Sequence, residues 1–229
     1  MKKELLIFGS EGALGKGISS ALVEKDYDSV ILFDFKFHEP TNTEKIKKVA
    51  IKDLSIEQNV IEAFSEIKPD RSKKFFLFSS IGGFAGGSEI WDKDFDEWKR
   101  MFDINLMTNV LIAKHFSKLI IKSHSGAACF TAAYSVFQNE TGKAAYGASK
   151  SALVHLIKSL AHEGEKINLS VNGIAPFIID TPSNRDWMVD ADFSRWMKPN
   201  EIGELVHKLF ECYNFVSGNV ITLKNRFEI

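Results

Sequence analysis

The sequence predicts a doubly wound α/β fold, a seven-stranded, mainly parallel sheet with helices on both faces. Three observations lead there. Seven short, almost unbroken apolar runs recur along the 229 residues, as strands buried on both faces require. Amphipathic stretches that open with helix-start residues separate most of them. Alternation of this kind gives parallel strands joined by crossover helices. The length suits one α/β domain with a large core. No linker, repeat or low-complexity stretch divides residues 1–229.

In chain order, "ELLIF" (4–8) is the first strand, and "GSEGALGKGI" (9–18) follows it as a glycine string leading into a helix. "SVILFDF" (29–35) and "KVAI" (48–51) are the second and third strands. "SIEQNVIEAF" (55–64) reads as a helix, with Ser55 and Gln58 in capping-box spacing. "KFFLFSS" (74–80) is the fourth strand, and the glycine-rich "GGFAGG" (82–87) follows it. "DFDEWKRMF" (94–102) starts a helix with Asp94 and Glu97 in the same capping spacing, and that helix is expected over 94–123. "GAACFTA" (126–132) is the fifth strand. A helix over 147–163 carries an apolar stripe of Ala152, Leu153, Leu156 and Leu160. "NLSVNGIA" (168–175) is the sixth strand. Residues 177–198 lack a clear period, and their length suggests a substrate lid. "PNEIGELVHKLFEC" (199–212) has Pro199 and Asn200 at the start of a helical period, and "NVITL" (219–223) closes the sheet.

Composition narrows the function classes. Apolar residues make up 45% and charged residues 26%, both ordinary for a globular chain. A net charge of −1 gives no broad attraction to nucleic acid or anionic membranes. The two cysteines, Cys129 and Cys212, read as reduced intracellular thiols. "MKKELLIFG" imitates a signal peptide, but its apolar run is too short for one. No stretch is long and apolar enough to span a membrane, and the six histidines lack ligand spacing, so no metal site is expected. A soluble cytoplasmic protein acting on a small molecule is the expectation.

The first glycine string has a context. It follows a strand and precedes a helix, and the second strand brings Asp34 nineteen residues after Gly15. Glycines there let the backbone approach a pyrophosphate, and a carboxylate at that offset hydrogen-bonds an adenosine ribose. The competing reading is an ordinary turn beside a surface aspartate. Asp34 would repel a 2′-phosphate, which favours NAD(H) and leaves NADP(H) as the second choice, with Lys16 and Lys36 close enough to soften the preference. Asp53, beside Leu54, suits either the adenine amine or a helix cap. Gly82 and Gly83 supply a second glycine-rich strand end for an extended cofactor.

Tyr146 and Lys150 stand four apart at the start of the 147–163 helix, on one face of it. An ammonium beside a phenol lowers the phenol's pKa and equips it to exchange a proton near neutral pH. A surface tyrosine beside an exposed lysine is the alternative.

With "GSEGALG", Asp34, "FDINL" around Asn105 and "VNGIAPFIIDT" (171–181), the chain resembles the short-chain dehydrogenase/reductase superfamily over nearly its whole length. The resemblance implies a Rossmann fold that binds NAD(P) and transfers a hydride. It implies Tyr146 as general acid, Lys150 as its support and a ribose ligand, and Asn105 as anchor of a water relay. The implied cofactor contacts are Gly9, Gly12, Ala13, Leu14 and Gly15 in the loop, Asp34, Asp53 and Leu54, Gly82 and Gly83, and the segment with Pro176, Ile178 and Thr181. It also implies a homodimer or homotetramer through the 94–123 and 147–163 helices, whose stripes include Val110, Leu111, Leu153 and Leu156.

Three departures mark the subgroup. Ala13 stands where a loop glycine is usual, "SIGG" (80–83) replaces Asn-Asn-Ala-Gly, and Ala133 stands where a serine is usual. The combination, with "DTPSNRDWMVDADFSRW" (180–196), resembles the dihydropteridine reductase branch. That branch usually has tryptophan at the position of Phe84 and usually lacks Asn105. On this resemblance Phe84, Ala133, Arg185 and Trp187 face the substrate, with Trp196 as a further ring. A quinonoid dihydropteridine spreads incoming charge over several nitrogens and has less need of a serine hydroxyl than a ketone has. The alternatives are a carbonyl reductase in which Thr131 or Ser135 replaces the serine, and a non-catalytic dinucleotide sensor.

Overall fold

The computed structural model describes residues 1–39 and 42–227. The seven apolar runs form one sheet: β1 (Lys2–Phe8), β2 (Ser29–Asp34), β3 (Ile46–Ala50), β4 (Lys73–Ser79), β5 (Ser125–Thr131), β6 (Leu169–Pro176) and β7 (Val220–Leu223). All six pairings are parallel, in the order β3-β2-β1-β4-β5-β6-β7. The helices are α1 (Ala13–Val23), α2 (Glu57–Ser65), α3 (Phe95–Phe102), α4 (Thr108–Ile121), α5 (Ala144–Gly164), α6 (Pro182–Trp187) and α7 (Pro199–Glu211).

Successive side chains of a strand point to opposite faces, so a central strand covered on both faces is apolar at most positions. In β1, Leu6 and Phe8 join a core with Val60 of α2, Phe116 of α4 and Leu153 of α5. Leu5 and Ile7 join a second core with Ile18 and Leu22 of α1 and Ile202 and Val206 of α7. The strand order reverses direction between β1 and β4, because β2 and β3 lie on one side and β5 to β7 on the other. In a doubly wound sheet that reversal opens a crevice at the strands' carboxyl ends, where ligands bind.

Four local expectations change. The helix expected from Ser55 begins at Glu57, because the Ser55 amide and hydroxyl both donate to Asp53 Oδ1, at 2.9 and 2.7 Å. Asp94 does cap α3, accepting from the Asp96 amide, but Glu97 pairs with Lys93 and completes no capping box. The single helix expected over 94–123 is interrupted by a π-helical turn at Asp103–Met107. The 177–198 segment is not wholly irregular, since it holds α6 and a 3₁₀ turn at Phe193–Arg195. Leu153 is wholly buried in the chain's own core, and Leu111 and Leu156 pack partly against it, so that core accounts for part of the apolar stripes. Among the described residues no helix is long and apolar enough to cross a membrane.

Candidate active site

At the end of β1 the chain turns through Gly9, whose φ of 82° lies in the left-handed region that favours glycine. A Cβ at Gly15 would lie 1.8 Å from the Gly9 carbonyl oxygen, so α1 approaches the loop this closely only without a side chain. At Gly12, by contrast, the nearest atom to a Cβ would be 3.7 Å away, which leaves that side of the loop open. The Gly9 and Ser10 amides donate to the Phe33 carbonyl. Asp34, ending β2, accepts from the Glu11 and Phe35 amides, each at 2.7 Å. The loop and the carboxylate are therefore fixed to one another. Lys16 is drawn to Glu11 at 3.4 Å, and Lys36 is exposed.

A cavity of about 600 Å³ opens here, lined by Gly9, Gly12, Asp34, Asp53, Leu54 and Gly82. A second, of about 970 Å³, lies on the other side of the β4 end and includes Leu14, Gly82, Gly83, Pro176 and Ile178. Ser80 and Gly82 line both, so the two are halves of one crevice across the carboxyl ends of β1 and β4. Ala13 and Gly15 line neither half: Ala13 is exposed at the first position of α1 and Gly15 is packed under the loop.

Tyr146 and Lys150 reach the second cavity from the first two turns of α5, together with Phe84, Ala133 and Trp187. Lys150 is buried, and its Nζ donates to the Thr131 carbonyl at 2.7 Å. A Cβ on Gly82 would stand 2.8 Å from that Nζ and 2.7 Å from Asn105 Oδ1, so these three residues meet at one point. Asn105 does not line the cavity. From the π-helical turn, wholly buried, it accepts from the Gly83 amide at 2.9 Å and donates to the Gly83 carbonyl at 3.0 Å. It also donates to Ser149 Oγ at 3.2 Å, and Ser149 donates to the Tyr146 carbonyl. Through this chain of bonds the glycines after β4 and the helix carrying Tyr146 are held together.

Electrostatics here differ from the sequence-based expectation. Burial, reinforced by the charge of Glu140, pushes the Tyr146 phenol up to about 12, and burial alone pushes the Lys150 amine down to about 7. Lys150 is turned to a backbone carbonyl, and the expected lowering of the phenol by a neighbouring ammonium is absent. Both groups favour their neutral forms because charge is poorly solvated where they sit.

Other expected residues are placed as follows. Arg185 does not line the cavity: its guanidinium donates twice to Asp180, at 2.6 and 2.8 Å, and lies over the Phe193 ring. Trp196 is buried against Phe193 and cannot face a substrate, whereas Trp187 is 69% exposed at the rim. Thr181 caps α6, accepting from the Asn184 amide, and lines neither cavity. Asp53 both lines the first cavity and holds the turn into α2. Thr131 donates its hydroxyl to the Ser79 carbonyl at 2.8 Å, which removes it as a stand-in for the absent serine. Sequence reasoning missed Ser80, which ties the β4 end to the Gly9 carbonyl at 2.8 Å, and Ser149. It also missed Tyr134 and Phe177, an edge-to-face pair 5.3 Å apart in the second cavity. Their partners come from distant segments, and no local pattern marks them.

A dinucleotide fits this crevice. Open loop backbone at Gly12, a fixed carboxylate at the end of β2 and a buried amine beside Gly82 match the demands of phosphates, ribose hydroxyls and a second ribose respectively.

A sequence profile of the short chain dehydrogenases matches residues 3–191. Dihydropteridine reductase of Dictyostelium discoideum is 32% identical over 213 residues, covering 92% of this chain and 87% of the relative. Carbonyl reductase family member 4 of Xenopus laevis is 26% identical over 236 residues, covering 100% of this chain and 99% of the relative. The solved structure of ElxO with NADP bound shares the fold with a TM-score of 0.84 at 21% identity, over 98% of each chain. The chain belongs to the short-chain dehydrogenase/reductase family and is an NAD(P)-dependent oxidoreductase. Within that family it is similar in particular to dihydropteridine reductase.

Proposed function

We propose that the protein reduces a quinonoid dihydropteridine, or a closely similar flat conjugated ring, with NADH as the reductant. The observation that carries the reading is the second cavity, where the Tyr146 hydroxyl shares a space with four further aromatic rings and with an alanine, not a serine, at position 133. Phe84 stands edge-to-face with Tyr146, 5.0 Å between centroids, and Tyr134, Phe177 and Trp187 supply the other rings. Such walls suit a planar heterocycle.

The nicotinamide, when bound, supplies the hydride. Tyr146 holds the proton: a phenol pushed up to about 12 stays protonated at physiological pH and can give its proton to a ring nitrogen as the hydride arrives. Lys150, beside Gly82, holds the nearer ribose. Asn105 keeps Gly83 and the Tyr146 helix in register and is a positioning residue. Asp34 takes the hydroxyls of the adenosine ribose and disfavours a 2′-phosphate, which selects NADH. The similarity to dihydropteridine reductase supports the same substrate class.

One observation favours a second reading. Asn105 is held in a π-helical turn beside Lys150, an arrangement suited to a proton relay, and the carbonyl reductase relative covers the whole chain. On that reading the substrate is a ketone. Steady-state oxidation of NADH with quinonoid dihydropterin, beside a panel of ketones, separates the two. Pterin turnover well above that of every ketone supports the proposal, and an inert pterin with an active ketone overturns it.

A further inference from the structure

Buried polar atoms without partners are rare, because each one gives up its hydration and gains nothing in return. One such atom among the described residues is Ser135 Oγ, shielded from solvent and without a hydrogen-bond partner. Ser135 lines the second cavity, in the 3₁₀ turn Tyr134–Val136 that also carries Tyr134. Its neighbours' polar groups are spoken for: Thr131 Oγ1 goes to the Ser79 carbonyl and Lys150 Nζ to the Thr131 carbonyl. Local rules are broken most often where a ligand completes them. A serine hydroxyl also moves among three staggered positions with no backbone change.

We propose that Ser135 is a substrate-binding residue whose hydroxyl donates a hydrogen bond to a carbonyl-type oxygen on the substrate and so orients the ring under Tyr146. The inference rests on the reductase reading and deepens it, since it requires a substrate that carries a hydrogen-bond acceptor apart from the atom that receives the hydride. Ser135 is not a replacement for the absent serine at 133. It acts on the bound ground state and the transition state alike, so its removal weakens binding and leaves the chemical step largely intact.

The test is a set of three variants, Ser135→Ala, Ser135→Thr and Ala133→Ser, assayed with NADH and quinonoid dihydropterin, with melting temperatures and NADH affinity recorded for each. For Ser135→Ala we expect KM for the pterin to rise about five- to tenfold, the loss of one neutral hydrogen bond, with kcat within twofold and NADH affinity unchanged. We expect its melting temperature to be equal to that of the parent or higher by up to about 3 °C, because an unpaired hydroxyl has been removed. Ser135→Thr keeps the hydroxyl and should restore KM to within about twofold. An unchanged KM in Ser135→Ala, or a fall in melting temperature with KM and kcat moving together, overturns the inference and leaves the pterin reading standing. If the parent protein does not reduce the pterin, the pterin reading fails on its own. The same variants on the best ketone of the panel then decide Ser135 by the same KM criterion.

Discussion

The two halves of the crevice are built from different materials. The half proposed for adenosine is backbone: a glycine turn with positive φ, a helix packed within contact of a carbonyl, and a carboxylate fixed by two amides. The half proposed for the substrate is side chains from five segments, with Phe84 after β4, Ala133 to Ser135 after β5, Tyr146 and Lys150 on α5, Phe177 after β6, and Trp187 on α6. A backbone site has one way to be right, and a glycine is either there or not. A side-chain site can be retuned by changing a ring or a hydroxyl while the scaffold stands. The comparison teaches that the first half depends on backbone geometry, where one added carbon clashes, whereas the second depends on side chains that can change without moving the scaffold.

Substitutions can break that contrast or sharpen it. The largest effect is expected from Gly15→Ala, where the new Cβ falls 1.8 Å from Gly9 O and the loop must rebuild. NADH affinity, followed by fluorescence titration, should fall by about two orders of magnitude or more, and thermal stability should fall with it. Retained affinity would mean that the adenosine half is less rigid than its contacts imply. Tyr146→Phe comes next on the opposite side. Its kcat should drop about 10²-fold or more, the usual contribution of a general acid, with NADH binding preserved. If kcat stays within threefold, Tyr146 is not the proton donor.

Asp34→Asn removes the charge expected to exclude a 2′-phosphate and should shift the NADH-to-NADPH ratio of kcat/KM about tenfold toward NADPH, or roughly 1.4 kcal/mol. An unmoved ratio would place cofactor choice elsewhere.

The substrate half also has a stability signature in pH. The Lys150 amine, near 7 in the folded chain, titrates near 10.5 when unfolded, so between those values the unfolded chain holds the extra proton. Stability should therefore climb as pH rises from about 7 toward 10, by at most about 1.4 kcal/mol per unit from this group. Tyr146, raised to about 12 against 10 unfolded, acts in the opposite sense only above pH 10. In Lys150→Met the climb between pH 7 and 9, read from melting temperatures, should flatten. An unaltered slope would show that Lys150 is charged in the fold. Arg185→Ala is the smallest change: the Arg185 side chain of its ion pair with Asp180 is half exposed, so the cost should stay within about 1 kcal/mol, and KM should move less than threefold. A larger KM effect would return Arg185 to the substrate.

The same division explains what could be read from the sequence. Strands were legible because burial on both faces leaves Leu5 to Phe8 wholly apolar and keeps β5 and β6 to small and apolar residues apart from Ser125, Thr131, Ser170 and Asn172. Gly9, Gly15 and Asp34 were legible because a backbone demand writes itself as spacing. The fate of Arg185 was not, because a guanidinium joins whichever carboxylate folding brings near, and Asp180 lies five residues away across the turn into α6. Likewise Trp196 carries the same chemistry as Trp187 in the sequence, and only packing buries one and exposes the other. The π-helical turn at Asn105 had no signal either, since the residue it bonds reciprocally, Gly83, lies twenty-two positions earlier.

The most direct test of the central claim, that the cavity is fitted to a conjugated ring without a serine at position 133, is the ratio of kcat/KM for quinonoid dihydropterin to that for the best ketone. It would be measured with NADH in the parent protein and in Ala133→Ser. The account predicts a ratio far above one in the parent and no gain in pterin turnover in the variant. A ketone that improves with Ala133→Ser while the pterin stays inert would contradict it.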